Sequence, residues 1–71
     1  MTLNVAVIGL GIGEQHARTF AAGPNSRVTW LYDLDAAKAE RIAADLGQGR
    51  VAESYDQILS APDVDAVSIA T

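Results

Sequence analysis

Five residues, Gly9-Leu10-Gly11-Ile12-Gly13, join a six-residue apolar run to a segment with helical patterning. Few folds accept glycines at alternate positions between a strand and a helix. The run before them, Leu3 to Ile8, points Leu3, Val5 and Val7 one way and Ala6 and Ile8 the other. Beyond Asn4 both faces are apolar, which suits an interior strand of a parallel sheet covered by helices on both sides. The segment after the glycines predicts a helix over residues 12–22, with Ala17, Phe20 and Ala21 as its buried stripe and Glu14 and Arg18 as an exposed i,i+4 pair. Gly23-Pro24-Asn25 stops it.

The same alternation continues. Residues 28–32 are β-branched and aromatic and read as a second strand. Asp33-Leu34-Asp35 is a turn with an aspartate capping the next helix, 36–46, whose apolar face is Ala39, Ile42, Ala43 and Leu46 and whose end is Gly47. Val51-Ala52 is a short third strand, and Ser54 with Gln57 reads as a capping box opening a third helix with Tyr55, Ile58 and Leu59 on its apolar face. Pro62 terminates that helix, and residues 66–70 form a fourth strand. The order β-α-β-α-β-α-β predicts an α/β fold, a doubly wound parallel sheet with right-handed crossovers and strand order 3-2-1-4.

Composition excludes several functions. With 5 Lys+Arg against 9 Asp+Glu the net charge is −4, and no basic cluster is present, so nucleic acid is not an expected partner. There is no cysteine for a disulfide or thiolate metal site. No apolar run reaches membrane-spanning length and no secretion signal is visible, so the expectation is a cytoplasmic protein without a membrane partner. For a chain of 71 residues, apolar burial of about 100 kcal/mol is matched by an ordering cost of about the same size. With the fourth strand on an open edge, this predicts an incomplete domain that is marginal or self-associating alone.

The glycine turn carries the chemistry. The first glycine permits a tight turn, and the second lets the backbone approach a pyrophosphate without an intervening Cβ. The N–H groups and the positive end of the helix then face the anion. The spacing is G-x-G-x-G rather than G-x-G-x-x-G, with Glu14 where the third glycine would stand. Either the turn is one residue shorter, or the helix starts early and Gly13 provides close packing. Asp33, at the end of the second strand, is placed to accept hydrogen bonds from the adenosine ribose hydroxyls. It would repel a 2′-phosphate, and no arginine follows it, which favours NAD over NADP. The plainer reading makes Asp33 a turn or cap residue, a role Asp35 can also fill. An S-adenosylmethionine site is a third possibility, but such loops usually carry an acid two residues before the first glycine, where this chain has Val7.

Residues 4–13, the following Glu14-Gln15-His16-Ala17, and Tyr32-Asp33-Leu34-Asp35 together resemble the Gfo/Idh/MocA oxidoreductase family. So does Asp63-Val64-Asp65-Ala66-Val67-Ser68-Ile69-Ala70-Thr71, close to the family's usual D-V-D-A-V-x-I-A-T-P. Gly13-x-x-His16 keeps the family spacing, so the one-residue deletion falls between the second and third glycines. The resemblance spans the whole chain. It implies residues 1–71 are an incomplete NAD(P)-binding Rossmann domain whose C-terminal substrate domain is absent. It also implies a homo-oligomeric parent that moves a hydride between a hydroxyl carbon of a sugar or polyol and a nicotinamide.

The cofactor-binding positions that carry over are Gly9, Gly11, Ile12, Gly13, Asp33, Leu34, Ala70 and Thr71. The family's catalytic positions lie beyond this sequence. The alternative from a different class is a nucleotide-binding module without chemistry.

The remaining polar and aromatic residues have plainer readings. His16 is expected to be packed near the buried face of its helix, and Trp30 and Tyr32 to be core or helix contacts on the face opposite Leu31. Asp63 and Asp65 bracket a turn without a third ligand, and Lys38, Arg41 and Asp45 form a solvated helix face.

Overall fold

The computed structural model describes residues 2–70. Its centre is β1 (Leu3–Ile8), flanked by β2 (Ser26–Tyr32) on one side and β4 (Ala66–Ile69) on the other. β3 (Arg50–Val51) pairs with the outer side of β2, and every pairing is parallel. The order β3-β2-β1-β4 is the one the alternation predicts. The crossovers are α1 (Gly13–Ala22), α2 (Ala36–Leu46) and α3 (Tyr55–Leu59).

Each face of the sheet has its own core. Val5, Val7, Val28 and Leu31 meet Ala17 of α1 and Ala39 and Ile42 of α2, while Ala6, Ile8 and Trp30 meet Ala52 and Ile58 on the α3 side. Burial on both faces of β1 is why that strand reads as continuously apolar. Leu3, expected on the inner face, is 42% exposed because it lies at the strand's open start.

Strict alternation would put Val28, Trp30 and Tyr32 on one face. Val28 instead lies in the α1/α2 core and Trp30 in the α3 core. Thr29 explains this. Val5 pairs with Val28 and Ala6 with Trp30, so Thr29 is left unopposed as a bulge. The extra residue draws the end of β2 back by one position. Ile8 pairs with Tyr32, and the next residue on each strand is Gly9 and Asp33. Val28, fully buried, donates its backbone N–H to Gln48 Oε1 at 2.6 Å.

The helix signals hold. Asp35 caps α2, accepting from the Lys38 N–H at 3.1 Å. Ser54 Oγ accepts from the Gln57 N–H at 3.3 Å, and the Gln57 side chain reaches back to the Glu53 N–H rather than that of Ser54. α3 is shorter than its apolar pattern implied. Only Ile58 is buried in it, leaving Tyr55 41% and Leu59 59% exposed.

Asp63 and Asp65 serve the sheet. Asp63 Oδ1 accepts from the Trp30 indole N–H at 3.0 Å, and Asp65 Oδ2 accepts from the Asn4 N–H at 2.9 Å. Arg50 lies 5.7 Å from the centre of the Trp30 ring, within cation–π range.

Candidate functional site

The turn after β1 reverses sharply because Gly9 adopts φ 84°, a left-handed conformation that side chains rarely enter. Its N–H donates to Tyr32 O at 2.9 Å, fastening the turn to the end of β2. Leu10 is fully buried beneath it. A Cβ built on Gly11 would meet nothing within 4 Å, so the space beside that backbone is open. Gly13 is different. A Cβ there would lie 3.2 Å from Val7 Cγ1 and 3.4 Å from Ala70 Cβ. Its job is to seat α1 closely on β1 and the chain after β4. Of the two explanations for the altered glycine spacing, the structure therefore gives Gly13 the close-packing role.

α1 begins without a side-chain cap. Its N-cap is Ile12, whose side chain cannot accept a hydrogen bond and is 70% exposed. The first-turn N–H groups thus lack the oxygen a serine or aspartate would supply. The acid of the first turn, Glu14, is engaged elsewhere. Arg18 Nη2 and Nε reach its Oε2 at 2.8 and 3.2 Å. The hydrogen bond from Arg18 holds the Glu14 carboxyl below its ordinary value, and Glu14 in turn raises Arg18.

Across the turn, Asp33 is half-buried at the carboxyl end of β2. The cap of α2 is Asp35, so Asp33 does not fill that role. Among the described residues no side-chain hydrogen bond engages Asp33. Leu34 next to it is 92% exposed. A cleft of about 300 Å³ runs between the turn and the end of β2, bounded by Ile8, Gly9, Leu10, Gly11, Tyr32, Asp33, Leu34 and Ala70. It lies at the carboxyl ends of the strands, where parallel α/β sheets bind ligands.

Five of the eight cofactor positions expected from sequence, Gly9, Gly11, Asp33, Leu34 and Ala70, thus surround one cleft. Ile12 stands at the helix entrance, Gly13 supports the turn from within, and Thr71 lies outside the described residues. Tyr32 and Ile8 also bound the cleft. Neither is among the cofactor positions expected from sequence. Their position immediately before Asp33 and Gly9 was the available signal.

His16 differs from expectation. It is exposed, and it borders a separate cleft of about 310 Å³ with Thr19, Phe20 and Ser68. No further element covers that flank of α1 among the described residues, so the packing expected around the imidazole is absent. Another cleft, of about 280 Å³ near Arg27 and Arg50, lies at the amino ends of the strands, away from the glycine turn. Among the described residues no group of His, Asp or Glu side chains is arranged to hold a metal ion, and no helix is long and apolar enough to cross a membrane.

A parallel 3-2-1-4 sheet with a glycine turn leading into its first helix defines the opening part of a Rossmann-type nucleotide-binding fold. The chain belongs to the Gfo/Idh/MocA family. The model of that oxidoreductase family, described as an NAD-binding Rossmann fold, matches residues 3–71. An uncharacterized oxidoreductase of Streptococcus pneumoniae is 41% identical over 66 residues, covering 92% of this chain and 17% of that protein. An inositol 2-dehydrogenase of Acidothermus cellulolyticus is 32% identical over 72 residues, covering 99% of this chain and 21% of that protein. The crystal structure of myo-inositol dehydrogenase from Lactobacillus casei, in complex with NAD(H) and myo-inositol, superposes with a TM-score of 0.90 at 30% identity. That match covers 100% of this chain and 22% of the other. The chain thus spans about a fifth of the length of the curated relatives it matches.

Proposed function

We propose that these residues form the NAD-binding part of an oxidoreductase that oxidises or reduces a hydroxyl carbon of a sugar or polyol. The observation that carries this reading is the placement of Asp33. It borders the same cleft as Gly9 and Gly11 and has been relieved of capping by Asp35.

The residues present fit a dinucleotide. The left-handed turn at Gly9 and the open space beside Gly11 leave room for a diphosphate against backbone. The uncapped start of α1 at Ile12 and Gly13 offers N–H donors to it. The Asp33 carboxylate suits the two ribose hydroxyls, and exposed Leu34 with Ala70 offers apolar contact to the adenine side. The bound nicotinamide would supply hydride transfer. This chain's own residues bind and orient the cofactor, and Leu10 and Ile8 keep the cradle dry from below. The length of the relatives supports reading residues 1–71 as part of a larger nucleotide-binding domain that works with a separate substrate domain. The inositol dehydrogenases among the relatives support a polyol or sugar substrate.

The test is fluorescence titration of the protein and its Asp33→Ala variant with NADH, NADPH and S-adenosylmethionine. A hydrogen bond to a charged group contributes about 1.5–3 kcal/mol. Asp33→Ala should therefore weaken NADH by roughly 10- to 150-fold and narrow its advantage over NADPH. Equal losses for both nicotinamide cofactors would count against the assignment of Asp33. Binding of S-adenosylmethionine alone would overturn the cofactor.

A further inference from the structure

Glu14 is out of place in a site for an anion. It is the second residue of α1, in the first turn, where the positive end of the helix attracts any carboxylate. A free Glu14 side chain would compete for the very end of the helix that a diphosphate needs. Arg18 stands one turn further along, about 6 Å up the axis, and takes Glu14 Oε2 through two N–H groups at 2.8 and 3.2 Å. Asp45 of α2 approaches the same guanidinium, its Oδ2 lying 3.6 Å from Nη2. The arginine is therefore held from two helices, and the glutamate is drawn back along α1.

We propose that Arg18 is a positioning residue for the diphosphate site: it neutralises Glu14 and holds that carboxylate away from the entrance of α1 so that an anion can bind there. The inference rests on the NAD reading and deepens it by naming what tunes the charge of the cradle. Arg18 itself need not touch the cofactor. Its removal leaves a net negative first turn facing a doubly charged diphosphate. At about 8 Å separation and an effective dielectric between about 40 and 80, that repulsion corresponds to roughly five- to thirtyfold in affinity.

The experiment is NADH titration of the protein and its Arg18→Ala, Glu14→Gln and Arg18→Ala/Glu14→Gln variants, at low salt and in 0.5 M salt as a ~4 Å screening length. Arg18→Ala should weaken NADH five- to thirtyfold at low salt, with most of the loss gone at high salt. The double variant should return to within about twofold of the parent, because neutralising Glu14 removes the reason Arg18 is needed. A purely structural role for Arg18 predicts neither the salt effect nor the rescue. Unchanged affinity in Arg18→Ala overturns the proposal, and so does a loss that persists in the double variant. If Asp33→Ala weakens NADH while Arg18→Ala does not, the NAD reading stands and only this inference fails. Absence of NADH binding by the parent protein overturns both.

Discussion

Gln48 lies far from the glycine turn, yet the structure predicts that replacing it with leucine destabilises the whole sheet. β3 begins only at Arg50, opposite Trp30, so at Val28 the sheet supplies no strand partner on that side. The N–H of this fully buried residue is satisfied by Gln48 Oε1 at 2.6 Å. The other end of the amide, Nε2, is 3.5 Å from Ala21 O and adds little at that length. Gln48→Leu keeps the bulk of the side chain and deletes the acceptor. The cost is that of a buried donor left without a partner, about 1–3 kcal/mol.

Urea denaturation followed by Trp30 fluorescence is the assay. With a slope near 1 kcal/mol per molar for a domain this small, the midpoint should fall by about 1–3 M with the slope unchanged. NADH affinity offers a second reading of the same event, since the bulge beside Val28 sets how far Asp33 extends past the sheet. A Gln48→Leu midpoint within about 0.3 M of the parent would refute the reasoning, because it would mean water replaces Gln48 at no cost.

Two further outcomes are expected. Gly13→Val places a branched side chain where even a Cβ lies 3.2 Å from Val7 and 3.4 Å from Ala70, so α1 must move off the sheet. The urea midpoint should report a loss of about 1–3 kcal/mol, and an unchanged midpoint would argue against close packing at that glycine. The Glu14–Arg18 pair gives a pH dependence of defined sign. Arg18 lowers the folded pKa of Glu14, so its contribution is present above the unfolded value of about 4.3 and is lost as pH falls through the lower folded value. Stability of the parent measured on the acid side of that value should therefore fall more steeply than that of Glu14→Gln, and parallel curves would contradict the pair's contribution.

Much of this arrangement is local and so was readable from residue order. Strand and helix periods, the Asp35 and Ser54 caps, and glycines between a buried strand and a helix all act over a few residues. They decided the element order, the parallel sheet and the pairing of a glycine turn with an acid on the next strand. Family membership followed from the same short motifs.

What the sequence could not decide depends on neighbours distant along the chain. The bulge at Thr29 changes which face Val28 occupies and brings Asp33 level with the turn. The Val28 N–H, which β3 is too short to reach, is met by Gln48, 20 positions away. Gly13 proved to be a packing glycine only because Val7 and Ala70 converge on it. His16 is exposed because no described element covers its flank of α1. Periodicity and capping are properties of adjacent residues, whereas register, partner choice and burial are settled only when separate elements compete for the same space.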